Sequence, residues 1–194
     1  MAYLAMILFV VVLLIVAGRN PLKTRRPIPT ISNPVLGVLN LIGPSAETDV
    51  KADLEQLTQY FSEVRQAYDV PPCCDVLLLY CNINSAGVVI GSMQRLGEIV
   101  RDAGAVVAVV ATNNDAEDYG AAGLSSGTAN VVMTIDRRGP LLAGMLAQLF
   151  AQMKSGVSMG IAWINLGPQV PGAAEHKDLP GAICALEYGQ ITFR

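Results

Sequence analysis

Hydrophobic and polar positions follow three regimes along this chain. The first is unbroken. Residues 2–17 carry no charge, and Gly18 extends the run. A helix rising about 1.5 Å per residue makes this run about 25 Å long, near the hydrocarbon thickness of a bilayer. It predicts one N-terminal transmembrane helix over residues 1–18, with Met1 and Tyr3 at an interface. A cleaved signal peptide is the competing reading, but that peptide carries basic residues ahead of its apolar core. Here only the α-amino group precedes the core, and Val16-Ala17-Gly18 is a mediocre cleavage site. The pattern favours a retained signal-anchor.

The second regime, residues 19–45, contains Pro21, Pro27, Pro29, Pro34 and Pro44. Dense proline blocks helix and favours extended chain, so a semi-stiff linker is predicted. Its second half holds Ile28, Ile31, Val35, Leu36, Val38, Leu39, Leu41 and Ile42. That half is too apolar to hang free in water, and it is expected to pack on the domain or lie along the membrane.

The third regime is periodic and predicts a folded domain over residues 46–194. Val50, Leu54, Leu57, Phe61, Val64 and Tyr68 recur at helical spacing and predict an amphipathic helix over 46–68. Ser45 is its expected N-cap, and Pro71-Pro72 ends it. The apolar stripe is expected to pack on a sheet; a short dimerising coiled coil is the alternative. Continuous apolar runs then predict buried strands at 76–80, 106–111 and 130–135. Helices are predicted over 92–103, 115–122 and 140–154, the last with Pro140 in its first turn. Residues 159–166 and 182–193 read as one strand each, the second broken at Gly189. Alternating strands and helices predict an α/β fold with a mostly parallel sheet and helices on both faces.

Composition sharpens this picture. About 150 residues remain outside the anchor and linker, enough for one domain that folds without metal or disulfide. Hydrophobic residues make up 52% and charged ones 15%, as expected of strands covered on both faces. The net charge is −3, yet Arg19, Lys23, Arg25 and Arg26 cluster just after the apolar run. Positive flanks stay on the cytoplasmic side, so a single-pass membrane protein with a cytoplasmic C-terminal domain is predicted. The cluster also suits anionic headgroups, at about 1 kcal/mol per residue. The remaining nine basic residues face 16 acidic ones, which argues against nucleic acid as a partner. Cys73, Cys74, Cys81 and Cys184 show no CxxC spacing, and His176 is the only histidine. Free thiols in a reducing compartment, no metal and no cofactor are expected.

Ligands of open parallel sheets bind beyond the carboxyl ends of the strands. That rule selects three polar loops, with Asn82, Asn84 and Ser85 in the first, Thr112, Asn113 and Asn114 in the second, and Asp136 and Arg137 in the third. Ordinary turn and cap chemistry would place the same residue types there. The loop Gly87-Val88-Val89-Ile90-Gly91-Ser92 lacks the lysine of a phosphate loop and the glycine spacing of a dinucleotide fingerprint. Arg137 with Arg138 could clamp a carboxylate or phosphate. A thiol nucleophile needs an imidazole beside it, so Cys81 or Cys184 with His176 is the only dyad available. No G-x-S-x-G elbow supports a serine triad.

The strand and loop Asp75-Val76-Leu77-Leu78-Leu79-Tyr80-Cys81-Asn82, the helix ending Asp102-Ala103-Gly104-Ala105, the strand over 106–111 and the long helix ending Met153-Lys154-Ser155-Gly156 follow one after another. This order resembles the caspase-like CHAT domains over about residues 75–156. That family carries His-Gly after the first strand and a nucleophilic cysteine after a later one. Here Asn82-Ile83 and Thr112-Asn113 stand in those places. The resemblance implies a caspase-like fold without the catalytic dyad; a flavodoxin-like arrangement fits the same elements. The expected function is a membrane-anchored, non-catalytic binding or scaffold domain. Its partners would be lipid, through residues 2–18, and a protein or a second copy. The alternatives are an anion or nucleotide sensor using the Asn82, Asn113 and Arg137 rim, and a cysteine hydrolase of caspase-like type.

Overall fold

A computed structural model describes residues 30–92, 94–114, 129, 131–138, 140–168, 180–186 and 190–194. The expected transmembrane helix, the predicted helix over 115–122 and the loop carrying His176 lie outside these residues. Among the described residues no helix is long and apolar enough to cross a membrane.

The elements run β1 (Thr30–Ile31), β2 (Val35–Asn40), α1 (Glu47–Leu57), β3 (Glu63–Ala67), β4 (Val76–Tyr80), α2 (Leu96–Ala103) and β5 (Val107–Thr112). Then come β6 (Val131–Asp136), α3 (Leu141–Lys154), α4 (Met159–Leu166), β7 (Ala182–Leu186) and β8 (Thr192–Phe193). Six strands form one sheet in the order β3-β2-β4-β5-β6-β7, and β1 pairs with β8 in a separate two-stranded ladder. Every neighbouring pair of the large sheet is parallel except β6 with β7. The predicted α/β architecture, a mostly parallel sheet with helices, is therefore observed. The five parallel strands follow the 2-1-3-4-5 order of doubly wound folds, with an antiparallel strand added at one edge.

The central strands are apolar on both faces, and the structure uses both. Val76, Leu78 and Tyr80 of β4 face the core beneath α1 and α3. Leu77 and Leu79 face a second core beneath α2. Burying such a strand on both sides removes about twice the apolar area that a half-exposed strand would, which is why these runs show no alternation. At the amino end of the sheet, Phe150 packs against Phe61 and Phe193 with ring centroids 5.1 and 5.7 Å away. Edge-to-face and offset pairs of this kind contribute about 1 kcal/mol each beyond area burial.

Five sequence expectations change. Part of the predicted linker is the fold itself, because β2 lies between β3 and β4 inside the sheet. Its prolines flank the strand rather than interrupt it. The predicted helix over 46–68 ends at Leu57, passes through a 3₁₀ turn at Thr58–Tyr60 and becomes edge strand β3. Val50, Leu54 and Leu57 are buried under the sheet, so that stripe is not free to form a coiled coil. A 3₁₀ turn at Pro44–Ala46 leads into α1, whose N-cap is Ala46 and not Ser45. Residues 159–166 form helix α4, not a strand. The last apolar stretch divides into β7 and β8, which belong to different sheets.

β2 also carries the tightest contact in the sheet. A Cβ on Gly37 would lie 2.5 Å from Cys74 Sγ and 2.9 Å from Cys74 Cβ. Glycine there lets the buried thiol seat directly on the strand backbone.

Candidate functional site

β4, β5 and β6 are parallel neighbours, so the three loops at their carboxyl ends sit side by side. Asn82, Thr112, Asn113 and Asn114 meet, and they bond chiefly to one another. Asn113 N–H donates to Asn82 Oδ1 at 3.2 Å. The Thr112 hydroxyl, fully buried, donates to Asn114 Oδ1 and accepts from Asn114 N–H at 3.1 Å. The Asn114 amide accepts from Ile83 N–H at 2.8 Å and donates to Ile83 O, as a backbone partner in a β-bridge would. Arg137 N–H donates to Thr112 O at 3.0 Å and ties in the third loop. The result is a clasp that fixes the loop after β4 to the loop after β5. Asn84 accepts from Ala86 N–H and Val88 N–H within its own turn, and Ser85 is exposed beside it. Those two residues do what turn residues do.

The two arginines after β6 part company. Arg138 makes a bidentate pair with Asp136, with Nη2 to Oδ2 at 2.7 Å. Arg137 turns toward α1, where Nη1 is 3.7 Å from Asp49 Oδ2, and its buried Nε has no hydrogen-bond partner among the described residues. Beside it the Tyr80 hydroxyl donates to Asp53 Oδ2 at 2.7 Å. Burial holds the Asp53 carboxyl above its ordinary range, partly offset by the Tyr80 hydrogen bond. Burial, followed by the neighbouring Asp53 charge, raises the Tyr80 phenol.

The thiols of Cys74, Cys81 and Cys184 are poorly placed for chemistry. Cys81 is buried under α2, and burial pushes its thiol up to about 12. Cys184 on β7 is pushed up to about 12 by the same cause, and Cys74 to about 11. A nucleophilic cysteine needs the opposite shift, from a cation or a helix N-terminus. His176 lies outside the described residues. Among the described residues no three His, Cys, Asp or Glu side chains gather as a metal site would require.

An open concavity lies elsewhere. A cleft of about 480 Å³ is lined by the loop after β2 (Asn40 to Pro44), by Glu47, by Tyr68 and Asp69 after β3, and by Gly91 and Ser92. The chain leaves β2 for β3 through α1 and leaves β4 for β5 through α2, on opposite faces, so β2 and β4 form the switch point of the sheet. Ligands of doubly wound folds bind at this place. The loop does not cradle anions: Ile42 N–H and Gly43 N–H both donate to Asn40 Oδ1, and Ala46 N–H donates to Gly43 O. The charged groups lining the cleft are the carboxylates of Glu47 and Asp69. Glu47 accepts from the Tyr68 hydroxyl at 2.9 Å. Sequence reasoning missed this cleft because its main loop fell in the predicted linker. The signal was Gly43-Pro44, a chain break directly after the apolar run of β2.

Comparison with protein-family profiles and with curated protein sequences finds no match for this chain.

Proposed function

We propose that this chain is a membrane-tethered α/β binding domain without catalytic activity. In this reading an apolar helix over residues 2–18 holds it to the bilayer with the domain on the cytoplasmic face, and a protein partner or a second copy binds it. The observation that carries the non-catalytic part is the clasp. Asn82 and Thr112-Asn113 stand where the caspase-like CHAT resemblance implies histidine and cysteine; the Asn82 and Thr112 side chains are engaged with each other, Thr112 also with Asn114, and the Asn113 N–H is bound by Asn82. On that resemblance the chain is a member without protease chemistry. The switch-point cleft favours a second reading, a small-ligand site, since its volume is in the usual range of about 300–1,000 Å³. With Glu47 and Asp69 in its lining, it suits a cationic ligand better than the anion or nucleotide of the sensor alternative.

Thiol labelling of the full-length native protein tests the main reading. Exposed Cys73 should react first at neutral pH, with buried Cys81 and half-buried Cys184 slower because both are shielded and protonated. Labelling of Cys81 or Cys184 faster than Cys73 would restore the hydrolase. Flotation with vesicles tests the tether, and protease access to the domain in sealed vesicles tests its orientation.

A further inference from the structure

We infer that the outer face of α4 lies on the membrane surface, so that the domain is docked on the bilayer as well as tethered to it. This rests on the tether reading above. α4 reads Met159-Gly160-Ile161-Ala162-Trp163-Ile164-Asn165-Leu166. Met159 and Ala162 turn into the core, while Ile161 and Ile164 point outward, 56% and 75% exposed. They are three residues apart and share one helical face. Trp163 is half-buried beside them. Residues 155–174 contain no charged side chain, in a chain that is otherwise acidic.

The occupant of this face follows from where the chain enters the fold. Met159 N–H donates to Ile191 O at 2.8 Å, β8 follows Ile191, and β1 pairs with β8 through Thr30 and Thr192. α4 is therefore next to the point where the preceding 29 residues join the domain. From Gly18 to Thr30 the extended chain reaches at most about 40 Å, so this end of the domain stays close to the bilayer. The basic cluster of Arg19, Lys23, Arg25 and Arg26 in that stretch has the charge that anionic headgroups attract. Exposed Arg194, at the end of β8, adds a cation on the same side. An uncharged helix face with two exposed isoleucines and a flanking tryptophan matches the chemistry of a bilayer interface, where apolar area enters the acyl boundary and indole sits at headgroup level.

Trp163 is the only tryptophan in the chain, so its emission reports on α4 alone. The test uses the full-length protein in vesicles of mixed neutral and anionic phospholipid with brominated acyl chains, which quench only at near contact. The expected result is strong bromolipid quenching and poor access of aqueous acrylamide. An Ile161→Gln, Ile164→Gln variant should float with the vesicles, keep its circular dichroism spectrum and lose most of the quenching. Both side chains are exposed, so this variant is expected to fold. A floated protein whose Trp163 is open to acrylamide and untouched by bromolipid overturns the docking and leaves the tether standing. Protein that does not float at all overturns the tether itself. Shielding from both quenchers that grows with protein density makes the face a contact between two copies, which also overturns the inference.

Discussion

Gly37→Ala is the sharpest probe of how the sheet is built. The added Cβ would lie 2.5 Å from Cys74 Sγ, 2.9 Å from Cys74 Cβ and 3.0 Å from Pro72 Cγ. None of these atoms can retreat easily. Gly37 pairs with Arg65 on one side and Leu77 on the other, so β2 cannot shift without breaking two ladders. Cys74 is itself anchored by its N–H to Ala103 O at 3.0 Å. Overpacking of a rigid site costs about 1–3 kcal/mol, and the upper part of that range applies here. For a domain of this size it corresponds to a drop in Tm of about 5–10 °C. Cys74→Ala removes the sulfur but keeps the Cβ, so the double variant should regain about 1 kcal/mol of the loss. The assay is a double-mutant cycle read by thermal unfolding of the full-length protein in detergent. A single substitution costing less than about 0.5 kcal/mol, or strictly additive effects of the two, would refute the contact as described.

Three further predictions concern the carboxyl end of the sheet. Asn114→Ala takes the partner from the buried Thr112 hydroxyl and the Ile83 amide, and should cost about 2–3 kcal/mol in thermal unfolding; a neutral result would mean that the clasp does not hold the loops. Asp53 is held above its ordinary 3.8 by burial, so its contribution to stability is greatest below pH 3.8 and is lost as pH rises through the folded value. Asp53→Asn should flatten that part of the stability curve. Tyr80 is raised above 10.0, so stability should fall again only when pH rises beyond 10, and Tyr80→Phe should remove that alkaline limb. Unchanged profiles in both variants would count against a buried pair.

The parts of the fold that were legible in sequence are those where one local signal decides. β4, β5 and β6 are apolar runs too short for helices, and α3 combines helical spacing with Pro140 at its start. Two errors came from reading composition without position. Pro34 and Pro44 bracket β2, yet their density suggested a linker. β3 is a polar edge strand, Glu63-Val64-Arg65-Gln66-Ala67, and Phe61, Val64 and Tyr68 happen to continue the period of α1. α4 was misread because a largely apolar run of eight residues fits a buried strand as well as a helix. Ser158 before it and the left-handed Gly167 after it were the signals that separate the two. The three strand-end loops follow the neighbouring parallel strands β4, β5 and β6, as their order in the sequence implied. Their pairing was not legible, because the Asn114–Ile83 contact joins residues 31 apart, and Arg137 meets α1 across the domain.

The β1–β8 ladder brings the two chain ends of the folded domain to one pole. Asn33 N–H donates to Arg194 O, and Arg194 N–H to Ile31 O. The switch-point cleft is at the other pole, one strand length or about 20 Å away. A cargo fused after Arg194 would therefore crowd the chain entering at Thr30 and leave the cleft unobstructed. The same layout sets the response to mechanical load. Tension applied to the chain ahead of Thr30 meets two paired residues of β1 first and can peel them from β8 singly. It then reaches β2, which is hydrogen-bonded along its length to β3 and β4 and can yield only by shearing both ladders together. The ladder acts as a short sacrificial splice in front of a shear-resistant strand.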